Sequence, residues 1–316
     1  MIRLIAQRAL LGLLTLWLVS LLVFAGTELL PGDVAEAVLG QSATPESLHA
    51  LRLELGLDRP AVLRYLDWLS GLLRFDFGVS LASQVPVNDL IAERVGRTIL
   101  LAGLAAAIAV PVALAAGLMA AAYPGSRFDR VTSVAALCIS AFPEFLLGTI
   151  LVLIFAVKLA WLPAISYAVE FDSLAQLASS LTLPVLTLAA VIISQIARMT
   201  RATMVNLMTA PYIEMAVLKG VRRRRIVLWH ALPNAVGPIA NVIALNLAYL
   251  VSGVVIVETI FAYPGLARLV VDAVASRDFP LIQACAFLFS AAYVVLMLAA
   301  DIVTIISNPR LRQARS

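Results

Sequence analysis

Four consecutive arginines, Arg222 to Arg225, lie in a segment that reads YIEMAVLKGVRRRRIVLWHALPNAVGPI. Guanidinium groups bind carboxylates and phosphates, so the run predicts an anionic partner. Neighbouring residues of a helix are about 100° apart, so four in a row spread over roughly 300° and cannot all face one partner. Two interpretations therefore stay open. One is anchoring to lipid headgroups, and the other is docking to an acidic protein surface.

The chain offers little for covalent or metal chemistry. His49 and His230 are its two histidines, and Cys138 and Cys285 both fall in apolar runs. The patterns HExxH, GxSxG and GxxxxGK[ST] do not occur. We therefore expect no catalytic residue, no metal site, no disulfide framework and no phosphate-binding loop for ATP in this chain.

Composition places these residues in a membrane protein. Of the 316 residues, 62% are hydrophobic and 13% are charged, and the mean hydropathy is +0.99. Apolar runs near 20 residues predict six transmembrane helices in an all-α fold, at residues 9–29, 98–122, 131–157, 181–200, 236–257 and 282–306. The fourth run contains Pro184, Ser194 and Gln195, which favours a helix packed inside a bundle. We interpret the first run as an uncleaved anchor and not as a signal peptide.

Positive charges predict the topology. Basic residues concentrate at both ends of the chain and in the segments after the second and fourth runs, which places both termini in the cytoplasm. The net charge of +4 is therefore a topology signal, and we expect no nucleic acid partner. The predicted divisions are a first helix at 1–29, an outer segment at 30–97, and a core at 98–316 that contains a cytoplasmic loop at 209–234.

The outer segment predicts two short amphipathic helices. Thr44 can cap the first, which begins at Pro45, and Gly56 separates it from the second. Each helix has one leucine face, formed by Leu48, Leu51 and Leu55 in the first and by Leu63, Leu66 and Leu69 in the second. A structural cap and a docking surface both remain open.

The arginine loop predicts a helix, a turn and a helix. Thr209 is a candidate cap for a helix with Pro211 in its first turn, and Gly220 suits the end of that helix. A second helix is expected to begin near Val221 and to stop before Pro233.

Polar residues at membrane depth are candidates for a translocation path. Glu144 follows Pro143 in the third run, while Asn246, Tyr249 and Ser252 share one face of the fifth. Hydrogen bonding and packing between helices are the alternative interpretations. Asp301 is expected to pair with Arg310 or with a basic group of another chain.

The loop resembles the cytoplasmic motif of permease subunits from binding-protein-dependent ABC importers, which reads E-A-A, three residues, G, nine residues, I, any residue, L-P. Six positions fit its spacing: Glu214, Met215, Ala216, Gly220, Leu232 and Pro233. Met215 replaces an alanine, and His230 replaces the isoleucine. The stretch WHALPNA at 229–235 resembles the version in dipeptide, oligopeptide and nickel permeases.

Further segments resemble the B-type permease of such systems over nearly the whole chain. They include LPGD at 30–33, LGLDRP at 55–60, RVGRTILLAG at 94–103, YPGLARL at 263–269 and NPRLR at 308–312. Phe75 departs from the family pattern, which usually has glycine there.

The resemblance implies the six-helix transmembrane domain of a type I ABC importer, with an outer helical segment between helices 1 and 2, in the bacterial inner membrane. The ATPase-coupling residues that it implies are Glu214, Met215, Ala216, Lys219, Gly220, Arg222, Arg223, Leu232 and Pro233. It also implies a second, homologous permease subunit, two ATP-binding subunits that hold ATP and Mg, a periplasmic or lipid-anchored solute-binding protein, and contact with membrane lipids. The chain itself is expected to bind no cofactor. Peptides are the first expected solute, with nickel chelates, glutathione, opines and oligosaccharides as alternatives.

A secondary transporter or channel subunit is the competing interpretation. Such proteins share this composition, but they usually show paired halves or a charged relay within the spans, and no internal repeat is visible in the sequence.

Overall fold

The computed structural model describes residues 2–29, 34–40, 43–54, 56–166 and 173–307, without the side chains of residues 2–4, 34, 37, 38, 251–253, 306 and 307. The helices of these ranges are α1 (Ile2–Leu29), α2 (Val34–Leu39), α3 (Pro45–Glu54), α4 (Ala61–Leu73), α5 (Val87–Ala122), α6 (Arg127–Ala141), α7 (Glu144–Leu151), α8 (Leu174–Met208), α9 (Pro211–Leu218), α10 (Arg223–Arg225), α11 (Leu232–Ile260), α12 (Leu266–Ala275) and α13 (Phe279–Ser307). π-helical turns follow α7 at Val152–Lys158 and α10 at Ile226–Ala231. The predicted all-α class is confirmed. Leu55, Arg310 and the motifs at 30–33 and 308–312 lie outside the described residues.

Five stretches of helix are long and apolar enough to cross a membrane: Ile5–Leu29, Val87–Ala122, Leu174–Met208, Arg223–Leu250 and Phe279–Ile305. The number rises to six if α6 and α7 form one bent span. At 1.5 Å per residue, α5 and α8 are each about 50 Å long, which exceeds the hydrocarbon thickness of about 30 Å. Their ends therefore extend beyond the apolar layer.

The third apolar run is not the single helix that its length predicts. It is bent by 104° between α6 and α7. Phe142 has an extended backbone, with φ −84° and ψ 134°, and Pro143 follows it. A proline disfavours the helical conformation of the residue before it, so the helix ends there and restarts in a new direction at Glu144.

The chain forms two compact units. The first contains residues 1–10, 100–263 and 295–316, and the second contains residues 11–99 and 264–294. In the first unit α8 is the most buried of the candidate spans, as the polar residues of the fourth run predicted. Gly117 of α5 makes a close approach possible, because a Cβ there would lie 2.7 Å from the Ala197 carbonyl oxygen of α8. Ser140 Oγ and Ser194 Oγ lie 3.0 Å apart and join α6 to α8.

In the second unit the predicted cap of α3 is confirmed, since the Ser47 N–H donates to Thr44 Oγ1 at 3.2 Å. The predicted leucine face of α4 is wrong in part. Leu63 and Leu66 are exposed, and α4 instead packs through Tyr65 and Trp68. The ring of Phe24 of α1 lies 5.3 Å from that of Tyr65 and 6.2 Å from that of Trp68, between centroids. Aromatic side chains contribute a large apolar area to such contacts.

The turn after α4 forms although Phe75 replaces the usual glycine. Phe75 takes a left-handed conformation, with φ +58°. The side chain of Asn88 stabilises it: Nδ2 donates to the Phe75 carbonyl at 2.7 Å, and Oδ1 accepts from the Phe77 N–H at 3.0 Å. The hydrogen bonds offset the steric cost of a side chain in this region of φ.

Candidate functional site

The arginine loop begins directly after α8, and its first helix is capped differently from the prediction. Thr209 ends α8, where its Oγ1 donates to the Asn206 carbonyl at 2.8 Å. Ala210 occupies the cap position of α9 with φ −71° and ψ 144°, and Pro211 is in the first turn. The residue before proline is driven to this extended conformation, so the chain turns without a side-chain cap.

Gly220 ends α9 as predicted, and its conformation explains why. Its φ is +75°. The Gly220 N–H donates to the Val217 carbonyl at 2.9 Å, and the Val221 N–H donates to the Ala216 carbonyl at 3.1 Å. These two bonds form a Schellman motif. A Cβ at Gly220 would meet nothing within 4 Å, so glycine is required here for its backbone conformation.

The second helix of the loop continues through Pro233, contrary to the prediction. α10 leads into the π-helical turn Ile226–Ala231, and α11 follows without a break. A wider π turn gives the Pro233 ring space near the carbonyl of the preceding turn. The arginines therefore lie at the start of a continuous candidate span, Arg223–Leu250.

One face of α9 is anchored in the first unit. Ile213 is 1% exposed, and Ala216 is also buried. They belong to an apolar cluster with Ala121, Ala122, Met204, Ile226, Val227, Ala231, Ala235 and Ile239. Because one cluster joins α8, α9 and the π turn, these elements are packed together. Ala216 therefore faces the interior of this chain.

The opposite face of α9 is exposed. Glu214, Met215 and Lys219 lie on this surface, as do Gly220, Arg222, Arg223 and Pro233. Leu232 is half-buried against the apolar cluster. Leu218 is 75% exposed. Within the described ranges Glu214 has no hydrogen-bonding or ionic partner, so its carboxylate is available to another molecule.

A hydrogen bond that sequence reasoning missed ties α9 to the next helix. Asn234 Nδ2 donates to the Tyr212 hydroxyl at 3.2 Å and to the His230 carbonyl at 3.0 Å. The only available signal was the presence of Asn234 in the WHALPNA stretch. The bond joins the two ends of the loop outside the apolar cluster.

A buried ion pair supports the loop from behind. Asp129 of α6 is 3% exposed. Arg201 of α8 binds both of its carboxylate oxygens, with Nη2 to Oδ2 at 2.8 Å and Nε to Oδ1. The Gly125 N–H adds a bond of 2.8 Å to Oδ2. The charge pattern had indicated only that both residues lie near the inner surface. The pair fixes α6 to the end of α8 from which the loop starts.

The candidate path residues are brought together in part. The Tyr249 hydroxyl donates to Glu144 Oε2 at 3.4 Å, which joins α11 to the start of α7. Asn246 is buried, and its Nδ2 donates to the Val242 carbonyl at 2.8 Å. Its Oδ1 has no hydrogen-bond donor in the described part of the chain. The side chain of Ser252 lies outside the described residues.

Asp301 pairs with a partner that was not predicted. Arg8 Nη1 lies 3.2 Å from Asp301 Oδ2. Both residues belong to the first unit, and the pair joins the beginning of α1 to the last turns of α13.

Comparison with known families gives two matches that together cover most of the chain. Residues 113–313 match the model of the family described as binding-protein-dependent transport system inner membrane component. Residues 1–102 match the model of the N-terminal region of the same kind of membrane component.

Relatives of known name align over nearly their full length. A probable peptide ABC transporter permease protein of Sinorhizobium fredii is 36% identical over 93% of this chain and 94% of its own. A glutathione transport system permease protein of Escherichia coli is 37% identical over 96% of this chain and 97% of its own. A putative peptide transport system permease protein of Brucella abortus is 39% identical over 99% of each chain.

Proposed function

Since the chain belongs to the family of binding-protein-dependent transport system inner membrane components, we propose that the loop at 209–234 docks an ATP-binding subunit and transmits its movement to the membrane helices. The chain is a multi-pass transport subunit and not an enzyme. Membership of this family also rules out the competing interpretation, a secondary transporter or channel subunit.

The observation that carries this proposal is that one side of α9 is packed against the rest of the chain while its other side is exposed. Ile213 and Ala216 fix one side to the apolar cluster, while Glu214, Met215 and Lys219 are exposed on the other. A helix held in this way moves with the elements behind it. It can therefore pass a displacement of the ATP-binding subunit to α8 and α11.

Within the docking surface the residues have different roles. Glu214, Lys219, Arg222 and Arg223 offer charges to the ATP-binding subunit, and Met215 offers apolar contact. Gly220, Ala216, Leu232 and Pro233 shape the loop.

The solute is a di- or oligopeptide or a related small peptide-like molecule. The names of the relatives from Sinorhizobium fredii and Brucella abortus refer to peptides, and that of the Escherichia coli relative refers to glutathione. All three names thus denote substrates with peptide bonds. A solute-binding protein, periplasmic or lipid-anchored, delivers this solute and largely sets its selection.

The path for the solute runs along α7 and α11. Glu144, Asn246, Tyr249 and Ser252 are its polar residues. Glu144 and Tyr249 already share a hydrogen bond, and Asn246 Oδ1 is without a donor in the described part of the chain. Tyr249 is exposed and can meet a passing solute directly, whereas Asn246 is buried beside it on the same face of α11.

The assembly contains this chain, a second homologous permease, two ATP-binding subunits that hold ATP and Mg, and the solute-binding protein. Both termini are cytoplasmic, the segment at 30–97 is periplasmic, and residues 98–316 form the core. The complex lies in the inner membrane, with its coupling loop facing the ATP-binding subunits.

Solute-stimulated ATP hydrolysis by the reconstituted complex tests the coupling role. Glu214→Arg reverses an exposed charge on the docking surface, and we expect stimulation to fall at least about tenfold, which corresponds to the loss of a charge-assisted contact. Arg127→Glu reverses an exposed charge at the start of α6, outside the loop, and is expected to leave stimulation intact. Equal stimulation in both variants would falsify the docking role of α9.

A further inference from the structure

An open basin lies beside the start of the helix that follows Gly220. Its volume is about 610 Å³. The residues that line it are Arg222, Arg224, Arg225, Leu228, Trp229 and His230. Arg223 stands between two of these arginines in the sequence but does not line the basin. The arginine run is thus divided by the fold into members that share a concave surface and one that does not.

The basin is strongly cationic. All four arginines of the run are exposed. No acidic residue lines the basin, and no carboxylate of the described residues forms an ion pair with an arginine of the run. Neighbouring guanidinium groups repel one another, so an anion between them is favourable.

The same basin has an apolar part. Trp229 is 76% exposed, and Leu228 is also exposed. Arg225 and Trp229 are four residues apart, close to one turn of helix. The helix continues into the candidate span Arg223–Leu250, so the basin lies where that span begins. Exposed tryptophan beside arginine at the end of a span is typical of the membrane interface.

We propose that this basin binds the phosphate of an anionic phospholipid through Arg224 and Arg225, with the glycerol and upper acyl carbons against Leu228 and Trp229. A free phosphate would satisfy the arginines but would leave the apolar part exposed to water. An acidic protein surface would also satisfy the arginines, but the position of the basin at the start of a candidate membrane span favours a lipid. A lipid headgroup fits both parts, and the basin is larger than a single phosphate requires.

The inference goes beyond the proposed function, because it assigns a lipid to residues next to the docking surface. Arg222 borders both sites, so it is left unchanged in the test. Arg223 belongs to the docking surface alone. A lipid that holds α10 and the π turn would fix the basin side of the loop to the membrane while α9 contacts the ATP-binding subunit.

Native mass spectrometry of the purified full chain tests the proposal. It measures the binding of short-chain phosphatidylglycerol and of short-chain phosphatidylcholine. We expect tighter binding of phosphatidylglycerol. Arg224→Gln and Arg225→Gln should each weaken it by roughly fivefold, the share of one arginine near an anionic lipid surface. Arg223→Gln removes the same charge outside the basin and should change it by less than about twofold.

Three results would overturn the proposal. The first is equal affinity for the two lipids, and the second is an equal loss in all three arginine variants, which would indicate diffuse attraction. The third is displacement of phosphatidylglycerol by inorganic phosphate at constant ionic strength, which would identify a free phosphate site. Assembly with the ATP-binding subunit is measured in parallel. We expect Arg223→Gln to affect it and Arg225→Gln to leave it intact, so failure of either proposal can be recognised separately.

Discussion

The side chain of Asn234 donates a hydrogen bond to the hydroxyl of Tyr212 at 3.2 Å and so links α11 to α9. The two residues are 22 positions apart in the chain. Both are exposed, whereas the apolar cluster to which α9 and α11 also contribute is buried. The bond therefore restrains the exposed side of the loop, which is the side that an ATP-binding subunit would contact.

Tyr212→Phe removes this bond with little change in shape. We expect the free energy of unfolding to fall by no more than about 1 kcal/mol, because the bond is exposed. The amount of solute moved per ATP hydrolysed should fall measurably, although the stability of the chain hardly changes. Tyr123→Phe removes an exposed hydroxyl outside the loop and serves as the control. An unchanged transport ratio in Tyr212→Phe would show that the apolar cluster alone fixes α9.

The loss of stability caused by a substitution at Gly220 should depend on how much a positive φ costs the new residue. We expect Gly220→Asn to be tolerated best, Gly220→Ala to destabilise by about 1 kcal/mol, and Gly220→Val to destabilise more, since β-branched residues fit this region worst. Space does not limit these substitutions, because the first added carbon meets no atom within 4 Å. Apparent melting temperatures of the purified chain check the order. Equal values for Asn and Val would contradict the backbone explanation.

Gly117 and Gly103 of α5 provide a matched pair. At Gly117 a Cβ would lie 2.7 Å from the Ala197 carbonyl oxygen, whereas at Gly103 it would meet nothing within 4 Å. Gly117→Ala should therefore lower the free energy of unfolding by roughly 1–3 kcal/mol. Gly103→Ala should raise it slightly, since alanine favours a helix more than glycine. Denaturant titration of both variants measures the difference, and the same sign in both would refute the close approach.

Asp129→Asn should weaken the first unit. The substitution leaves Arg201 without its carboxylate, and we expect a loss of about 2 kcal/mol, because the acid is buried and the arginine is half-buried. Asp67→Asn removes the acid of the exposed pair with Arg59, where the Nη2 to Oδ2 distance is 2.7 Å. Less than about 1 kcal/mol should be lost there. Comparable losses at the two sites, measured by denaturant titration, would argue against a structural role for the buried pair.

Tyr249→Phe distinguishes a solute path from helix packing. It removes the hydroxyl that donates to Glu144 at 3.4 Å. If Tyr249 lines the path, we expect the apparent KM for solute transport by the reconstituted complex to rise about threefold or more, the effect of one net hydrogen bond. The melting temperature should change little. Tyr293→Phe on α13 is the control, and a lower melting temperature with an unchanged KM would assign Tyr249 to packing.

Local features of the fold were predictable from the sequence. The cap at Thr44, the break at Gly220 and the helical bundle all follow from short-range sterics and hydropathy. Pro233 was expected to stop a helix, but a π turn accommodates its ring. Leucine spacing on α4 indicated the wrong packed face, because Phe24 of α1 packs against both Tyr65 and Trp68.

The sequence by itself determined the membrane class, the approximate positions of the apolar runs and the resemblance of the loop to an importer motif, because each depends on residues close together in the chain. Only the tertiary structure decided the pairing of Asp129 with Arg201, 72 positions away, and of Tyr212 with Asn234. It also decided which arginines line the basin. A run of equal charges carries no directional information until the helix phase and its packing are fixed, and apolar contacts distant in sequence fix both.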